Sequence, residues 1–106
     1  IVEIKQMGKA YSLDCDKEMM DIINHVCSEH LKEIKVAPNY LSPLDGSDDF
    51  SYMMSTVQDH GGIGTYMKLT TNLCASPHNC AFDFDEKVLL TGTTVYSCIA
   101  YYLLHK

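Results

Sequence analysis

Two thiols and an imidazole fall within seven residues in Cys74-Ala75-Ser76-Pro77-His78-Asn79-Cys80. Thiolate sulfur and imidazole nitrogen are ligands for a borderline ion such as zinc. A structural zinc site takes four ligands and usually includes a Cys-x2–4-Cys pair. Here five residues separate the two cysteines, His78 lies between them, and no second cluster follows. That spacing is poor for a self-contained zinc knuckle and leaves open a loop histidine beside two idle thiols. A cysteine nucleophile would need a neighbouring base, and His78, two residues from Cys80, rarely reaches it at that spacing. His25 and His30 are five apart, which does not put them on one helix face. His60 and His105 read as a helix-end and a terminal histidine. Gly61-Gly62-Ile63-Gly64 sits between a helix and a strand, the reverse of the dinucleotide-binding order. No serine nucleophile elbow is present.

The elements that would carry these residues read as mixed α/β. Val2 and Ile4 alternate with Glu3 and Lys5, the period-2 signal of a half-buried strand, which could continue to Leu13. Asp14 or Asp16 can cap a first helix. Along it Met19, Ile22, Ile23, Val26, Cys27, Leu31 and Ile34 form one apolar stripe. Residues 37–47, with two prolines and a glycine, predict a loop or a domain crossing. A second helix is expected from Asp48, with Phe50, Met53, Met54 and Val57 on one face and His60-Gly61-Gly62 ending it. Residues 63–71 are rich in β-formers and predict a short strand. After the Cys74–Cys80 loop, Asp83-Phe84-Asp85-Glu86 supplies capping oxygens for a final helix reaching Leu104. Its inward positions would be Val88, Leu89, Val95, Tyr96, Ile99 and Leu103. Gly92 inside it costs ~1 kcal/mol against alanine unless something packs close there.

Composition narrows the function classes. The chain has 106 residues, 46% hydrophobic and 21% charged, which is the make-up of one globular domain or less. Its formal charge of -6, with eight scattered Lys and Arg, argues against nucleic acid as a partner. No apolar run approaches the ~20 residues of a membrane helix, so no membrane partner is expected. Cys15, Cys27, Cys74, Cys80 and Cys98 are odd in number and irregular in spacing, which favours reduced thiols and a cytoplasmic location. The opening Ile1-Val2-Glu3-Ile4, strand-like and without an initiator methionine, suggests a piece of a longer protein.

Two stretches about thirty residues apart carry a resemblance. They are Gly46-Ser47-Asp48-Asp49-Phe50-Ser51-Tyr52-Met53, and Pro77-His78-Asn79 followed by Phe82-Asp83-Phe84-Asp85-Glu86. Together they resemble the C-terminal part of the co-catalytic di-metal peptidase and amidohydrolase family. Its members show Gly-Ser-Glu-Asp-Phe-Ser, then a strand, then a histidine ahead of Phe-Asp-x-Asp-Glu at the final helix. Val57-Gln58 and Gly61-Gly62 look most similar to the aminobenzoyl-glutamate hydrolase branch. Asp48 stands where glutamate is usual.

The resemblance implies that residues 1–40 are the last strand and helix of a lid or dimerisation domain. Residues 41–106 would be the C-terminal helix-strand-helix part of the catalytic domain. It implies that His78 is a metal ligand and that Gly46 and Ser47 line the substrate pocket, with Asp49 a helix cap. The parent would hold two divalent ions, zinc or manganese, and cleave a small N-acyl amino acid or dipeptide-like substrate as a homodimer. The other ligands and the general base would lie outside these 106 residues. The chain by itself is then expected to hold no stoichiometric metal and to catalyse nothing.

Overall fold

The computed structural model describes residues 2–5, 8–9, 11–37 and 49–106. Three helices organise them: α1 (Lys17–His30), α2 (Phe50–Asp59) and α3 (Lys87–Leu104). They fall into two compact units, one of residues 1–21 and 38–66, the other of 22–37 and 67–106.

In the first unit the chain before α1 is tied to α2 and to the segment after it. The fully buried Ser51 hydroxyl accepts the Tyr11 N–H at 3.1 Å, and the Tyr52 hydroxyl donates to the Lys9 carbonyl. Gln58 Nε2 donates to the Asp14 carbonyl at 2.8 Å and to Asp16 Oδ2 at 2.9 Å. Asp16 and Gly64 exchange two bonds: Asp16 N–H to the Gly64 carbonyl at 2.9 Å, and Gly64 N–H to Asp16 Oδ2 at 2.7 Å. Asp16 directly precedes α1, its carbonyl accepts the Met20 N–H, and its carboxylate Oδ2 ties α2 and the segment after it to the start of α1. Those two donors hold the Asp16 carboxyl below its ordinary acidity range, Gln58 contributing most.

α2 ends as its glycines predict. Gly61 takes φ 82, its N–H reaches the Gln58 carbonyl at 2.9 Å, and the Gly62 N–H reaches the Val57 carbonyl at 2.9 Å. This paired closure of the last carbonyls needs a left-handed residue, which glycine adopts without a Cβ clash. The buried face of α2 is narrower than predicted: Ser51 and Met54 are buried, whereas Met53 and Val57 are exposed. Asp49 precedes the helix but makes no side-chain capping bond.

The second unit buries Ile22, Ile23, Val26, Cys27 and Leu31 together with Val95 and Ile99. The middle of the predicted stripe is therefore core, its ends Met19 and Ile34 are half-buried, and the helix stops at His30, four residues before Ile34. A turn follows, with the Ile34 N–H on the Leu31 carbonyl at 2.8 Å. β-Branched Ile34 and Val36 with a proline at 38 give the chain little reason to stay helical. At α3, Glu86 holds the N-cap position without a side-chain capping bond, and within the predicted capping segment Asp85 Oδ1 accepts the Lys87 N–H at 3.0 Å. Gly92, Val95 and Ile99 are buried, while the predicted inward Leu89, Tyr96 and Leu103 are exposed. A Cβ at Gly92 would lie 2.8 Å from Leu69 Cδ1, so a side chain, not a backbone, fills the space beside that glycine.

The mixed α/β expectation is met only in its helices. Among the described residues there is no strand, only an isolated antiparallel bridge between Leu73 and Phe84. A strand exists by its ladder. Val2 and Ile4 are both exposed, with no neighbouring strand described. In 63–71, Gly64 spends its N–H on a carboxylate, and its partner Asp16 passes straight into α1, so no ladder extends. The expected loop at 37–47 and the expected domain boundary at 40–41 fall largely or wholly outside the described residues.

Candidate functional site

The loop that carries His78 is closed at its base. Leu73 bridges Phe84, and the Cys74 N–H donates to the Asp83 carbonyl at 3.3 Å. Within it two turns follow one another through Asn79. The Asn79 N–H closes the first on the Ser76 carbonyl at 3.2 Å, and the Asn79 carbonyl accepts the Phe82 N–H at 3.0 Å in the second. Asn79 Oδ1 also accepts the Ala81 N–H at 2.8 Å.

In the first turn Pro77 occupies the second position and His78 the third, where φ is 68. Proline presets its own φ near −65°, and a type II turn then demands positive φ at the next residue, a place usually taken by glycine or asparagine. A histidine there carries roughly 1–2 kcal/mol of left-handed strain. The imidazole is exposed at this corner and has no hydrogen-bond partner among the described residues. It is the one non-glycine residue among those described with positive φ.

Cys74 and Cys80 are exposed free thiols of the same loop. No group of three or more His, Cys, Asp or Glu side chains among the described residues is placed to hold a metal ion. Cys74, His78 and Cys80 therefore do not converge into a knuckle. Gly46, Ser47 and Asp48 lie outside the described residues. Three further histidines have other contacts: the His60 and His105 Nδ1–H groups donate to the Thr56 and Tyr101 carbonyls, each at 2.8 Å, and the His25 ring meets Tyr102 edge-on. As a donor, an exposed imidazole suits a borderline divalent ion, and His78 fits that role as a single ligand. One ligand is not a site, since catalytic zinc typically takes three from protein.

Sequence reasoning missed Ser51 and Asn79. Ser51 stood in plain view within the Phe50-Ser51-Tyr52 motif, but its partner Tyr11 is forty residues away. Asn79 had a local signal in Pro77-His78-Asn79, because asparagine after a turn commonly bonds the backbone two residues on.

The chain is 31% identical over 102 residues to a homolog of a p-aminobenzoyl-glutamate hydrolase subunit in Haemophilus influenzae, covering 96% of this chain and 24% of that protein. It is 33% identical over 88 residues to an indole-3-acetyl-aspartic acid hydrolase of Enterobacter agglomerans, covering 83% of this chain and 20% of the relative. The chain belongs to this amidohydrolase family. A third relative, a p-aminobenzoyl-glutamate hydrolase subunit from Escherichia coli, is 50% identical over 44 residues, 42% of this chain and 10% of its own length. The chain thus spans about a quarter or less of each of these amidohydrolases. No protein-family model and no solved structure matches it. No helix among the described residues is long and apolar enough to cross a membrane.

Proposed function

We propose that this chain is the C-terminal segment of a metal-dependent amidohydrolase that cleaves the amide bond of an N-acyl amino acid. p-Aminobenzoyl-glutamate is the first substrate to test and an indole-acyl aspartate the second. The observation that carries the proposal is the match to two hydrolases of acyl-amino-acid type over most of the chain. Both names describe an acidic amino acid joined through an amide to an aromatic acyl group.

In this reading His78 supplies one metal ligand from the corner of its closed turn, and the remaining ligands and the general base come from sequence outside these residues. A bound divalent pair would supply an activated water and polarise the amide carbonyl. His78 contributes a nitrogen donor, and the loop around it keeps that donor at a fixed corner. Gly46 and Ser47 are assigned to the wall of the substrate pocket, and the parent to a cytoplasmic homodimer holding zinc or manganese.

The test is hydrolysis of p-aminobenzoyl-glutamate and indole-3-acetyl-aspartate by the full-length parent supplied with zinc or manganese. Release of the free amino acid is expected, as is its loss in His78→Ala with unchanged circular dichroism. Full activity in that variant would remove His78 from the metal site. The isolated 106-residue chain should release no amino acid under the same conditions.

A further inference from the structure

We infer that Asn79 is a positioning residue for the His78 metal ligand, acting through the backbone of the turn rather than by touching the ion. The inference rests on the reading of His78 as a ligand. Three of Asn79's polar groups are committed to the loop: its N–H to Ser76, its carbonyl to Phe82 and its Oδ1 to the Ala81 N–H. The two turns it joins are consecutive, one over Pro77 and His78, the other over Cys80 and Ala81. Releasing the side-chain bond loosens the second turn and with it the anchor of the first.

That anchor matters because the His78 conformation is uphill. At φ 68 a non-glycine residue persists only where its surroundings over-determine it. Pro77 fixes the entry to the corner, and the Asn79 N–H on the Ser76 carbonyl closes the exit. The base of the loop is shut further out, by the Leu73–Phe84 bridge and the Cys74 N–H on Asp83. Asn79 is the residue that closes the corner with its N–H and braces the adjoining turn with its side chain. Oδ1 is the atom that does so, and aspartate would present the same acceptor.

The experiment compares metal affinity in the full-length parent for Asn79→Ala, Asn79→Asp, Pro77→Ala and His78→Ala, by calorimetric titration with zinc and with manganese. Asn79→Ala should weaken binding about tenfold or more, the scale at which orienting groups act on metal ligands. Asn79→Asp should restore most of the affinity, and Pro77→Ala should weaken it too. A role confined to fold stability would lower the urea midpoint of Asn79→Ala and leave the affinity of the folded protein unchanged, which would overturn the inference. Unchanged affinity in His78→Ala would instead overturn the ligand assignment on which it rests. Should Asn79→Ala of the parent not fold, NMR couplings of the 106-residue chain read the His78 φ directly. A His78 φ that stays positive in Asn79→Ala would also overturn the inference, and its return to negative values would support it.

Discussion

A left-handed histidine is worth its strain only where something depends on its direction, and at residue scale that makes stability and metal binding separable. Asparagine tolerates φ 68 better than histidine does. His78→Asn should therefore leave the stability of the chain unchanged or raise it by up to about 1 kcal/mol, measured by urea unfolding, while removing metal affinity in the parent. A large loss of stability would show that the imidazole holds the loop. Asp16 gives a second residue-scale prediction. Its folded carboxyl titrates below the unfolded value because Gln58 and Gly64 donate to the charged form. The stability it contributes is thus complete above the unfolded carboxyl pKa of about 3.9, and is lost as pH falls through the lower folded value. Urea midpoints between pH 5 and pH 2.5 should fall more steeply in the wild type than in Asp16→Asn, which still accepts both bonds but carries no charge. Parallel slopes would remove Asp16 from the acid response.

Two glycines of the helices separate conformation from packing at the scale of elements. Gly61 needs φ 82 to close α2, so Gly61→Ala should cost about 1–2 kcal/mol. Gly92 is helical, and the atom facing its missing Cβ is the tip of Leu69, a side chain one-third exposed and able to swing. Gly92→Ala should then be neutral or stabilising by up to about 1 kcal/mol, the helix propensity outweighing a small shift. Thermal unfolding of both variants checks the contrast, and equal losses would contradict it. The same elements show what a linear sequence discloses. Ile22, Ile23, Val26 and Cys27 repeat at helical spacing, and a stripe needs no knowledge of its partner to be recognised. The Gly61-Gly62 stop and the Asp85 bond to the Lys87 N–H are likewise local chemistry. Strand pairing is not local: Val2, Ile4 and residues 63–71 have the right composition, but a ladder depends on a neighbour that composition does not name. His78 stood out as a candidate by residue type and flanking motif, whereas the bonds of Ser51 to Tyr11 and of Gln58 to Asp14 span forty or more residues and left no periodic trace.

At the scale of the whole molecule, α3 leaves a long apolar surface in water. Leu90 and Leu104 are 74% and 81% exposed, and Leu89, Tyr96 and Tyr101 are exposed with them. The 106-residue chain should therefore self-associate as its concentration rises, despite a net charge of -6. Sedimentation velocity over a wide concentration range would show it, and Leu90→Lys should shift the distribution towards monomer without changing the helix content. A chain that stays monomeric throughout would show that this face is compatible with water.

Cys27 lies 2% exposed between core isoleucines and valines, and burial, with the Cys98 thiol beside it, pushes its own thiol above the ordinary range. An alkylating reagent attacks thiolate, so Cys27 is shielded twice, by access and by charge. Cys74 and Cys80 have no such cover. One chain thus contains both fast and slow labelling sites, and the slow one opens only when α1 leaves the core. Modification of Cys27 followed by mass spectrometry amounts to a clock for unfolding, started without adding any probe to the sequence.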